Sequence, residues 1–252
     1  MGIWRKVGNL KEHLPIVGSV KPINSKKVTK EYRGNNYTYF KGNSNYVWIL
    51  DAGHGGMIDG VYQTEGKRSP KWEDGSQLFE GVSNREFVNK ISRELERLSI
   101  SHVVLVDTEI DTPLKIRTDL ANKLAADEPK KKFIYVSIHS DAWKTKTAKG
   151  WSVFTSPGAT KSDIVAEEFA KKFKEVFPNE RLRSDSSDGD LDKEAKFWVL
   201  VKTSMPSILT ENFFMTNPYE CKEILMDNEG RTKISKLHYD AIIEIDQNKL
   251  IG

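Results

Sequence analysis

Apolar residues along the chain fall into short dense runs, separated by longer stretches in which they recur every three or four positions. The runs YVWIL (46–50), SHVVLV (101–106), KFIYVSIH (132–139), WSVFT (151–155) and PSILTENFF (206–214) have the length and the bounding turn residues of buried strands. Between the first two, Phe87, Ile91, Leu95 and Leu98 share one helical face, which predicts a helix over about 81–98 with Glu80 at its start. In DTPLKIRTDLANKLAAD, Thr112 as N-cap and Pro113 at the first helical position mark the start of a second helix. KSDIVAEEFAKKFKEVF is amphipathic and stops at Pro178, and NPYECKEILM and GRTKISKLHYDAIIEI close the chain as two helices. FWVL (197–200) reads as one more strand, preceded by a polar, acidic loop in which Ser184–Asp190 is a solvated turn or a groove wall. This alternation predicts an α/β fold, a twisted and mostly parallel sheet with helices on both faces.

Residues 1–45 lack that order and read as an N-terminal extension of unassigned role, in which NNYTYF is a short strand or edge hairpin; residues 46–252 form the main domain. Composition narrows the partners. The 252 residues carry a formal net charge of +3 with 30% charged residues, so the two signs nearly balance and no nucleic-acid partner is expected. Cys221 is the single cysteine, which excludes an intrachain disulfide and a cysteine-based zinc site and leaves it as a packed small hydrophobe. No stretch approaches the roughly 18 apolar residues of a membrane span. The first twenty residues carry charges throughout and do not read as an export signal.

Two of the strands run into histidine. VWILDAGH delivers His54 and FIYVSIHSDA delivers His139, and in a parallel pair such ends lie side by side, where open α/β sheets keep their sites. Two imidazoles and one carboxylate are a common catalytic zinc set that leaves a fourth position for water. Glu80, fixed by packing at a helix start, is the expected carboxylate, with Glu65, Glu73 and Asp74 in the intervening loop as competitors. Glu211 lies inside an apolar strand, where an unpaired carboxylate costs several kcal/mol unless it has a partner or a function; near a metal-activated water it would serve as general base. His13, His102 and His238 have no such company and read as surface or packing residues. Of the tryptophans, Trp151 is expected in the core, while Trp72 and Trp143 lie in loops beside the site.

LDAGHGG, FEGVSNREF, YVSIHSDA and MPSILTENFFMTNPYE, in this order, resemble the zinc-dependent N-acetylmuramoyl-L-alanine amidases of the amidase-3 type, over about residues 46–247. The resemblance implies a zinc amidase domain over 46–252, with His54, Glu80 and His139 as zinc ligands and Glu211 as catalytic acid/base. Asn84 and Arg117 also match the family pattern; with Trp72 and Trp143 they are the candidate substrate contacts, although Arg117 reads better as a structural residue. The implied activity is hydrolysis of the peptidoglycan amide between N-acetylmuramic acid and L-alanine by zinc-activated water. Two other readings stand beside it: a non-catalytic wall-binding or virion structural protein on the same fold, and a zinc peptidase acting on the stem peptide. Without an export signal, a wall hydrolase of this kind is expected to be a phage lysin, made in the cytoplasm and reaching the wall after holin release or as a virion component; a bacterial enzyme with a truncated or unusual export signal is the alternative.

Overall fold

The computed structural model describes residues 26–187 and 189–252. His13 and the first 25 residues of the extension lie outside the described residues, as does Asp188 in the acidic loop. The chain runs through β1 (Lys26–Tyr32), β2 (Asn35–Lys41) and β3 (Tyr46–Ala52), a small hairpin of β4 (Met57–Ile58) and β5 (Val61–Tyr62), and α1 (Glu80–Arg97). There follow β6 (His102–Val104), α2 (Leu114–Asp127), β7 (Lys132–Asp141), β8 (Ser152–Thr155) and α3 (Lys161–Val176). The last elements are β9 (Lys193–Glu194), α4 (Trp198–Lys202), β10 (Ser207–Phe214), a π-helical turn (Glu220–Leu225) and α5 (Asn228–Asn248).

Eight strands make one mixed sheet in the order β1-β2-β6-β3-β7-β10-β8-β9. The centre, β6-β3-β7-β10, is parallel, and the antiparallel pairings lie on its flanks. Alternation along the strands feeds two cores. Trp48, Leu50, Val136 and Ile138 pack with α1, α3 and α5 on one face, and Ile49, Phe133 and Tyr135 pack with Leu120 and Leu124 of α2 and Val199 and Leu200 of α4 on the other. All seven residues of β3 are buried, which is why its sequence is apolar apart from Asp51, whose charge is met by Arg117. The NNYTYF segment is β2 of the β1–β2 hairpin, and β2 pairs with β6, so the described part of the extension is an edge of the main sheet.

Three local expectations are corrected. FWVL is not a strand: Trp198–Lys202 is helical, with Val199 and Leu200 buried against α2, since four apolar residues cannot distinguish a buried helical turn from a strand. Thr112 does not cap α2; the cap position is Pro113, and the Thr112 hydroxyl donates to Asn35 Oδ1 on β2 (2.8 Å). The first of the two closing helices is shorter than expected, a six-residue π-helical turn over Glu220–Leu225. The amphipathic α3 starts with a full capping box between Thr160 and Asp163. Cys221, His102 and His238 are buried, as packing residues should be.

Candidate metal centre

β3 and β7 pair in parallel register, with Ala52 opposite Ile138, so their carboxyl ends are adjacent. His139 is the residue after Ile138 in β7. On β3 the chain leaves the sheet at Gly53, and His54 takes a left-handed φ of 66°, a conformation that costs a non-glycine residue about 1–3 kcal/mol. Glycine is required at position 53, because a Cβ there would come within 2.2 Å of the His139 ring. Glu80 reaches the same place from the first residue of α1, where its backbone N–H donates to the Lys67 carbonyl (3.0 Å).

Glu80 Oε1 lies 3.2 Å from both His54 Nε2 and His139 Nδ1, and the two rings stand nearly perpendicular with centroids 4.9 Å apart. Among the described residues these three are the group whose ligand atoms gather within 4.8 Å of one another. The carboxylate is held by the chain as well as by the histidines: the Ser140 amide donates to Oε1 (3.2 Å), and Asn84 Nδ2 lies 3.5 Å from it. Burial works to raise the Glu80 pKa, but the hydrogen bonds and charges of His139 and His54 outweigh it and hold the carboxyl well below the usual range. An ionised, buried carboxylate between two imidazole nitrogens is a donor set suited to a divalent cation.

Glu211 stands opposite His139 in the β7–β10 register and lines the same cavity, of about 300 Å³, as the three residues above. Burial first, then the charges of Glu80 and Asp141, push its pKa well above the ordinary value, and its Oε2 is buried without a hydrogen-bond partner. Just beyond it the β10 register shifts, Phe213 takes a φ of 62°, and Glu220 from the π-helical turn accepts from the backbone N–H groups of Phe214 (2.8 Å) and Gly150 (2.6 Å). Burial raises the Glu220 pKa to about 7. Glu220 and the fully buried Asn212, which donates to the His139 carbonyl (2.9 Å), therefore anchor the strand that carries Glu211. Sequence reasoning missed both, although each lies within the quoted motif MPSILTENFFMTNPYE.

The competing loop acids do not join the cluster. Glu65 lines the same cavity but is not in the group of close ligand atoms, Asp74 pairs with Lys222 (2.7 Å), and Glu73 is exposed. Two of the candidate substrate contacts are turned inward. Asn84 is fully buried and donates to the Gly53 carbonyl (3.2 Å), so it braces the turn before His54. Arg117 is 1% exposed and spends its donors on Asp51, Ala52, His54 and Thr112. Trp72 packs against the core, with Lys222 over its ring, and does not line the cavity. Trp143 is 61% exposed in the loop that follows Asp141, and Trp151 is buried against Phe173.

The fold is shared with solved N-acetylmuramoyl-L-alanine amidases. The structure of N-acetylmuramoyl-L-alanine amidase from Clostridium difficile 630 covers 82% of this chain and 100% of its own, at a TM-score of 0.66 and 25% identity. That of amidase AmiC2 of Nostoc punctiforme covers 82% and 99%, at 0.63 and 22%. The family model described as N-acetylmuramoyl-L-alanine amidase, of the amidase-3 type, matches residues 49–244, and the chain belongs to that family. Among curated relatives, the endolysin of Bacillus phage SPP1 is 25% identical over 207 residues, 80% of this chain and 66% of that protein. Escherichia coli N-acetylmuramoyl-L-alanine amidase AmiA is 24% identical over 245 residues, 78% of this chain and 75% of its own length.

Proposed function

We propose that this chain is a zinc-dependent peptidoglycan amidase that cleaves the bond between the lactyl group of N-acetylmuramic acid and L-alanine. The observation that carries the reading is the convergence of His54, Glu80 and His139 in one cavity with a buried carboxyl, Glu211, that has no structural partner for one oxygen. The three ligand residues fit zinc by donor type, two imidazoles and one carboxylate, and by the spacing of their ligand atoms. Zinc bound there supplies Lewis acidity, polarising a carbonyl and lowering the pKa of water towards about 7. The chain supplies the proton transfers. A cation held by His54, Glu80 and His139 would offset the negative charge that raises the Glu211 pKa. The ionised Glu211 would then take a proton from the attacking water as the new C–O bond forms at the amide carbon, and return it to the alanine nitrogen as the C–N bond breaks. Ser140 and Asn84 keep the Glu80 carboxylate in place, and Gly53 leaves room for the His139 ring. A phage endolysin among the relatives favours a lysin, and its meeting the wall after holin release or as part of a virion belongs to this proposal.

The test is digestion of purified peptidoglycan with and without a chelator, followed by mass analysis of the fragments. Chelator-sensitive release of stem peptides beginning at L-alanine, with a free lactyl carboxylate on the sugar, is the expected result. Shortened peptides would identify a peptidase instead, and absence of release with metal bound would identify a binding protein. Glu211→Gln should keep zinc and fold while turnover falls by about 10²–10⁴-fold; a fully active, zinc-loaded variant would remove Glu211 from its role.

A further inference from the structure

His54 stands outside the regular hydrogen bonding of β3, in a left-handed conformation, so something other than the strand must fix its peptide plane and with it the direction of its ring. Two guanidinium groups converge on its carbonyl oxygen: Arg117 Nη2 at 3.1 Å and Arg85 Nη1 at 2.9 Å. Arg117 already has a buried counter-ion in Asp51. Arg85 is differently placed, on α1 one turn beyond Glu80, and only 7% exposed. Its Nη1 also donates to the Gly81 carbonyl (2.9 Å), and its Nε to the Thr108 carbonyl (2.9 Å). A single planar fork thus joins the turn that carries His54 to the first turn of the helix that carries Glu80. The two segments touch backbone to backbone, since a Cβ on Gly81 would lie 1.9 Å from the Gly55 carbonyl oxygen.

We propose that Arg85 is a positioning residue of the metal centre, setting the separation of His54 and Glu80 by clamping the His54 carbonyl to the start of α1. The inference rests on the reading of His54, Glu80 and His139 as a metal site. It is a matter of fork geometry more than of charge: the Glu109 carboxylate stands 3.6 Å from Arg85 Nε and is half exposed, while the close contacts go to neutral carbonyls from separate segments. A lysine ammonium has no rigid fork with which to hold these acceptors at once.

The test is zinc affinity of the purified full-length chain, measured by competition with a chromophoric chelator, for wild type, Arg85→Lys, Arg85→Met and the exposed control Arg93→Met, with thermal melting of each. Outer partners that orient metal ligands typically contribute about 10–100-fold in affinity. Arg85→Lys and Arg85→Met should weaken zinc binding by that order, and Arg93→Met should not. Because Arg85 acts through His54, the effect of Arg85→Lys should vanish in a His54→Ala background. Wild-type affinity in folded Arg85→Lys, or an equal loss in the His54→Ala background, would overturn the proposal; if Arg85→Met does not fold, Arg85→Lys decides. A wild-type chain that binds no zinc would instead overturn the metal site itself.

Discussion

Arg117→Met separates a structural arginine from a substrate-binding one. In the folded chain Arg117 Nη1 is 2.5 Å from Asp51 Oδ1, both side chains are 1% exposed, and Tyr135 and Ser137 donate to the other Asp51 oxygen at 2.7 and 2.9 Å. Burial works to raise the Asp51 pKa, but the Arg117 charge and the Tyr135 hydrogen bond overcome it and keep the carboxyl below its ordinary value. Removing one partner of a buried pair strands the other, at a cost of about 3–5 kcal/mol, a large share of the roughly 5–15 kcal/mol that holds a domain together. In urea unfolding at pH 7.5, Arg117→Met should therefore lose stability of that order, and Asp51→Asn in the same chain should restore part of it. The pH dependence carries a sign. In wild type the depressed Asp51 pKa leaves its contribution intact at any pH above its unfolded value, so it does not vary between pH 7.5 and 5. Without Arg117, burial raises the Asp51 pKa; the folded state then binds a proton that the unfolded state does not, and the gap to wild type narrows as the pH falls. A single variant within about 1 kcal/mol of wild type, or a gap that widens on acidification, would refute the buried-pair account.

Other expectations can be tested alongside. Gly53→Ala should reduce zinc affinity by at least ~10-fold, because the added Cβ would fall 2.2 Å from His139 Cε1 and the ring must move; chelator competition reads this directly. His238 is fully buried, with Nδ1 on the Ile234 carbonyl and Nε2 on the Thr210 hydroxyl, and burial lowers its pKa to about 4. Its neutral form therefore supports the fold above the unfolded value near pH 6.5, and that support is lost as pH falls towards 4. By pH 5 the loss is about 2 kcal/mol, and His238→Leu should show a correspondingly flatter decline between pH 7.5 and 5 in urea unfolding. Trp143→Ala should raise KM by about 3–10-fold with kcat unchanged if the exposed ring stacks on substrate, whereas Trp72→Ala should lower Tm and leave KM alone.

The parts of this protein that could be read in advance are those in which one segment carries its own signal. His54 and His139 were visible because each follows a strand apolar enough to be recognised alone, and Glu80 because the helical face of Phe87, Ile91 and Leu95 dates the start of α1 to within one residue. Signals that depend on a second segment were read less well. Thr112 has every local mark of an N-cap, yet its hydroxyl is taken by Asn35 of an edge hairpin more than seventy residues away. FWVL has the composition of a strand and becomes a helix because α2 offers it an apolar surface.

The arginines show why the remainder was hidden. Arg117 and Arg85 act mainly on backbone carbonyls, those of Ala52, His54, Gly81, Thr108 and Thr112, and a carbonyl has no residue identity by which a sequence could announce it. Such acceptors exist as a site only after the turn at His54, the first turn of α1 and the segment before α2 have been brought together. The ligands of the candidate centre are thus written residue by residue, whereas the precision with which they are held resides in contacts between segments. Substituting a ligand should remove one bond to the metal and weaken binding far more than substituting Arg85, which should only grade it, and that difference in response is the physical signature of the two kinds of information.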